Sequence, residues 1–146
     1  MLALSAAAIA CASRPPAPCD PVPVELSMVN DAPVFRDCAV DRKAGLPRTI
    51  RHDYRPTRAQ ACGFVTTTFV VDTLGRVVQS TITVTETNDR DFADAFVAAL
   101  PSARFTPARK DEHPVQQLVE YGNVYQMVAV TRSRPGSVAR ANARRC

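Results

Sequence analysis

The sequence predicts an α+β domain, a small three-stranded antiparallel sheet with two helices on one face. Three stretches predict it. Residues 63–84, GFVTTTFVVDTLGRVVQSTITV, read as a β-hairpin, residues 87–101, TNDRDFADAFVAALP, as a capped amphipathic helix, and residues 115–130 as a third apolar-rich segment.

Taken in order, the elements begin with YRPTRAQA at 54–61, a short helix after Tyr54 with Pro56 in its first turn, where its missing N–H does no harm. In 63–72, Val65, Thr67, Phe69 and Val71 alternate with Phe64, Thr66, Thr68 and Val70, the two-residue period of a strand. Val78, Ser80, Ile82 and Val84 repeat it. Asp72 suits the first position of a type I turn, and Gly75 the left-handed position that closes a bulged hairpin. Thr66, Thr68, Thr81 and Thr83 form an outer face, leaving Phe69, Val71, Ile82 and Val84 for the helix. That helix takes Asn88 as its cap, with Asp89 and Asp91 in the first turn and Pro101 just past its end. Phe92, Ala95, Phe96 and Ala99 share the face that covers the sheet. The third segment reads as one long strand with a bulge at Gly122. A second hairpin turning at Gly122 and Asn123 is the alternative.

The flanks differ from this core. Six of the twelve prolines lie in the first 33 residues, and the end is rich in Arg and Ala. Four segments follow: 1–11 a signal, 12–33 a Pro-rich linker, 34–131 the domain, and 132–146 a basic tail. The formal charge is +4, yet Arg132, Arg134, Arg140, Arg144 and Arg145 all sit in the tail. The body is therefore near neutral, and the tail reads as a solvated end. No aromatic platform, zinc finger or helix-turn-helix pattern accompanies it, so nucleic acid is not an expected partner.

Residues 1–12 are apolar but too few to span a bilayer core of ~30 Å, and they suit the apolar part of a secretory signal. Residues 8–11, AIAC, resemble the lipobox of bacterial lipoproteins, in which small residues precede a cysteine that is lipidated and becomes the new amino terminus. This makes Cys11 the expected lipidation site and implies a periplasmic protein, anchored through lipid to the envelope of a Gram-negative bacterium. An ordinary secretory signal or a truncated anchor is the alternative. Export favours disulfides among Cys19, Cys38, Cys62 and Cys146. Three pairings are open, and Cys38 with Cys62 is the pair inside the expected domain. Closing their loop would contribute ~3 kcal/mol. Zinc held by Cys38, His52 and Cys62 is disfavoured, because the spacings match no standard ligand pattern.

Catalytic signatures are missing from the sequence. His52 and His113 lie beside expected turns, with no G-x-S-x-G elbow and no H-E-x-x-H motif. Asp111 and Glu112 read as a solvated loop pair. No enzyme, cofactor or metal is expected.

Residues 54–130 resemble the C-terminal domain of TonB. The resemblance rests on the YRPTRAQA lead-in, Gly63 opening the first strand, VDTLGRV at 71–77, the helix, and RFTPA at 104–108. The match departs from the family at Arg55, where the family has Pro, at Ala103, where it has Trp, and in a shortened join between Ala61 and Gly63. The family fold implies a module that binds protein without catalysis. Its last strand pairs with an extended segment of an outer-membrane transporter, which would carry over to Leu118, Val119, Glu120, Tyr121, Val124, Tyr125, Gln126 and Met127. The physical basis is general, since an open sheet edge can accept a strand from a partner. The linker of about 22 residues reaches ~70 Å at most at the polyproline rise of ~3.1 Å. A structural, envelope-anchoring lipoprotein using the same fold is the alternative function, with the edge blunted at Glu120 and Gly122.

Overall fold

A computed structural model describes residues 19–47, 50–56 and 62–126. Its organising element is β3 (Cys62–Val71), whose strict alternation sends Gly63, Val65, Thr67, Phe69 and Val71 into the interior. Thr83–Thr87 forms β4 and His113–Gln126 forms β6, which flank β3 antiparallel on either side. Met28–Val29 (β1), Ala32–Phe35 (β2) and Ala108–Lys110 (β5) complete a six-stranded sheet in the order β1-β2-β6-β3-β4, with β5 hairpinned onto β6. The sheet is mixed, because β2 runs parallel to β6 through Val34↔Gln116 and Phe35↔Gln117. The α+β class stands, and the three-stranded antiparallel sheet does not. The extra strands come from β5 and from a segment whose prolines read as linker.

One α-helix occurs among the described residues, α1 (Arg90–Ala99). Asp89 caps it, accepting from the Phe92 N–H at 3.1 Å. Asn88, the expected cap, instead accepts from the Phe64 N–H at 2.8 Å and ties the helix entrance to β3. Phe92, Ala93 and Phe96 are buried against Val65, Phe69, Val71 and Val119, with Leu100, Ala103 and Phe105 closing the core beyond the helix end. Of the second expected helix, 54–56 is irregular and 57–61 lies outside the described residues.

The hairpin is less regular than its sequence suggests. Asp72 and Gly75 make the turn as read, with the Gly75 N–H on the Asp72 carbonyl at 3.0 Å and Gly75 at φ 75°. Gly75 is doubly required, since an added Cβ would lie 1.9 Å from the Phe105 carbonyl oxygen. After the turn the chain makes a 3-10 excursion at Gln79–Thr81, so β4 starts only at Thr83. Thr81 is buried rather than outward, its hydroxyl taking the Val70 N–H at 2.9 Å, while Val84 is more than a third exposed. The register irregularity falls between Thr66 and Thr67 where β3 meets β4. Gly122 pairs in unbroken register with Thr66, so β6 is one strand without the expected bulge.

The other sheet face carries a smaller cluster of Val34, Val70 and Leu118, covered by Val22, Leu26, Val29 and Val78. Residues 19–33 thus pack on the domain instead of linking to it. Cys19 is disulfide-bonded to Cys38, with Cα atoms 5.7 Å apart. This corrects the expected pairing of Cys38 with Cys62. Cys62 is itself disulfide-bonded, though not to Cys38. Cys19–Cys38 belongs to one of the three open pairings, and it forms because the segment read as linker folds back onto the domain.

Candidate functional site: the free edge of the last strand

One edge of β6 is filled by β3, from Cys62↔Gln126 to Val71↔Gln117. The direction of each main-chain group follows from Phe64. Its N–H bonds Asn88 and its carbonyl accepts from the Thr87 hydroxyl at 2.8 Å, both on the β4 side. Antiparallel pairs alternate between those that exchange two bonds and those that turn their groups outward, so Phe64↔Val124 is an outward pair. The same alternation turns the N–H and C=O of Glu120, Gly122 and Val124 away from β3. They point to the edge that β2 borders only at Gln116 and Gln117. Beyond Gln117 no described strand pairs with that edge. One local cap exists, where Asn123 Oδ1 accepts the Val124 N–H at 2.9 Å.

The side chains of the expected edge residues are largely committed elsewhere. Val119 is buried in the main core and Leu118 in the smaller cluster on the opposite face. Tyr121 stacks on Phe96, with ring centroids 5.7 Å apart and planes 7° from parallel. Tyr125 lies on the helix face. Glu120 is exposed, as is Val124 at 61%. Gln126 ends β6, and Met127 lies outside the described residues, as does Cys11. The edge therefore offers backbone more than side chains.

Tyr125 is fixed by a polar knot that the sequence did not reveal. Its hydroxyl donates to Asp89 Oδ2 at 2.6 Å, the Tyr54 hydroxyl donates to the same oxygen, and the two hydroxyls are 3.1 Å apart. Burial pushes the Asp89 carboxyl up, but the bonds from Tyr125, Tyr54 and the Phe92 and Asp91 amides outweigh it. The net effect holds the carboxyl below its ordinary value. Burial and the Asp89 carboxylate push the Tyr54 hydroxyl far above the ordinary phenol range. Tyr125 moves the same way, for burial first and Asp89 second, with the Tyr54 bond pulling against it. The ring of Tyr125 also covers Gly63, where a Cβ would sit 2.2 Å from Cε1. The legible signal was the pair of Gly63 and an aromatic on the neighbouring strand, once register is known.

Where β2 leaves β6, a cleft of about 370 Å³ opens between Arg36, Asp37, Lys43, Leu46 and the start of the free edge at 117–120. Lys43 pairs with Asp37 at 2.8 Å, and both are well exposed. His52 packs edge-on against Phe92, with centroids 5.2 Å apart. Among the described residues no group of three His, Cys, Asp or Glu converges as a metal site, and no helix is long and apolar enough to cross a membrane. Asp111 and Glu112 form the two-residue turn of the β5–β6 hairpin, at φ 49° and 63°. Compared with family models and with curated proteins, the chain matches none of either.

Proposed function

We propose that the protein is a strand-accepting, peptide-binding module of the cell envelope. Its partner is an extended segment of an outer-membrane transporter or another envelope protein, and its role lies in TonB-type transport across the outer membrane. The observation that carries this reading is the outward main chain of Glu120, Gly122 and Val124 on an edge that no described strand fills. Unpaired strand groups gain hydrogen bonds when a partner strand adds, and the affinity then depends little on the partner's side chains. β2 supports the orientation, because it already lies parallel to β6 along the same edge and stops where the opening begins. A transporter segment that continues its line would run parallel too. Lipidation at Cys11 belongs to the same proposal, and would hold the domain at the membrane, since each buried acyl CH₂ contributes ~0.8 kcal/mol.

The second reading, a structural envelope lipoprotein with no strand-accepting role, is favoured by one observation. Asn123 caps the Val124 N–H, and edge strands that avoid partners are blunted in this manner. Chemical-shift mapping separates the two. Titration with a peptide from the amino-terminal segment of an outer-membrane transporter moves the amides of 118–124 on the first reading and leaves them still on the second.

A further inference from the structure

We infer that the Cys19–Cys38 disulfide is a redox clip that holds β2 on the β6 edge, so that its reduction releases β1 and β2 and lengthens the free edge back to Gln116. Both cysteines are exposed, one on each side of the segment they close, and Cys38 lies in the 3-10 turn immediately after β2. Exposed disulfides are open to thiol exchange. The step is balanced by a dithiol reductant, whose thiolate attacks one sulfur and breaks the S–S bond. The reductant is oxidised to its own disulfide, two electrons pass to Cys19 and Cys38, and each sulfur takes a proton.

What remains after the bond breaks is slight. β2 makes two register pairs with β6, against ten between β3 and β6. Its one buried side chain is Val34, set among Val70, Leu118 and the partly buried Val22, Leu26, Val29 and Val78. Docking also strands a polar atom. Gln116 is 4% exposed, its Nε2 donates to the Val29 and Ala32 carbonyls at 2.7 and 3.3 Å, and its Oε1 is buried with no hydrogen-bond partner. A buried acceptor without a donor opposes the docked state, and release returns it to water. The uncovered surface is a strand edge beside Val70 and Leu118, which fits an extended segment carrying one apolar side chain at the place of Val34. This use of the edge rests on the strand-accepting function proposed above, whereas the clip rests on the contacts of β2.

The test is hydrogen exchange on the full chain, comparing wild type with the Cys19→Ser/Cys38→Ser variant, which leaves the Cys62 disulfide in place. The expected result is exchange about tenfold faster or more at the amides of 28–32, 34, 35 and 116, with 65–71 of β3 and Gln117, whose N–H faces β3, unchanged. Unchanged protection at 28–35 would overturn the clip, since β2 would then stay docked without it. Loss of protection across β3 would overturn it also, because the disulfide would then be a staple of the whole domain. No peptide is present in this experiment, so a failed peptide titration refutes strand addition separately.

Discussion

Gly63, Tyr125 and Asp89 act as one unit at the scale of single residues. The Tyr125 ring fills the place of the side chain that Gly63 lacks, and its hydroxyl then reaches the carboxylate that caps α1. Gly63→Ala forces the ring away and breaks that bond, so we expect a loss of about 2 kcal/mol, within the range for overpacked cores. Urea unfolding measures it, and an unchanged midpoint would contradict the packing described here. Asp89 gives a pH signature. Its carboxyl is held below the ordinary value in the folded state, so its contribution is present above the unfolded pKa of roughly 3.9 and is lost as pH falls through the lower folded value. Asp72 shifts in the same direction, its burial outweighed by the Arg76 amide and guanidinium and the Leu74 amide. Asp89→Asn should therefore be less stable than wild type at pH 6, with the gap closing toward pH 2.5. A gap that stays constant with pH would show that the carboxylate charge carries none of the effect.

Elements differed in how far the sequence disclosed them. β3 was legible because its two-residue period is unbroken, and α1 because caps and an apolar face coincide at 89–100. β6 was legible as a strand, but its glycine suggested a bulge that an uninterrupted pairing with β3 removes. β1 and β2 were hidden, since a four-residue strand that contains Pro33 carries no periodic signal. Its place depends on a parallel pairing with residues some eighty positions away. A turn beside His113 was expected, but β5 and the two-residue hairpin it makes with β6 were hidden, because Asp111 and Glu112 lack the glycine that advertises a turn of this type. Glu112 adopts φ 63° without being Gly, a conformation that costs ~1 kcal/mol or more for an L side chain. Replacing the pair by Asn-Gly, which accepts positive φ at both positions, should raise stability by about 1 kcal/mol in the same urea assay. A decrease would mean that the acidic side chains make contacts outweighing the backbone strain.

For the whole molecule, the resemblance implies a candidate surface on the last strand but does not say which groups of that strand are available. That required the register, which commits Leu118, Val119, Tyr121 and Tyr125 to packing and turns the main chain of Glu120, Gly122 and Val124 outward. Asn123 Oδ1 also holds the Val124 N–H, a donor that an added strand would need on the proposed function. Asn123→Ala should tighten binding of a transporter peptide about fivefold, the equivalent of one hydrogen bond of ~1 kcal/mol, and weaker binding would show that Asn123 contacts the peptide instead. Proline at 125 would damage the Asp89 knot and remove an N–H that faces β3, so position 120 is the informative one. Glu120 is exposed and its N–H points away from β3, which is where an edge strand tolerates proline. The most direct measurement is peptide binding by Glu120→Pro, followed by amide shifts with the β3 resonances as the control for folding. Binding reduced by about tenfold or more in a protein whose β3 shifts match wild type is the predicted result. Equal binding by a folded Glu120→Pro protein, or shifts that move to the opposite edge at β4, would contradict strand addition at β6.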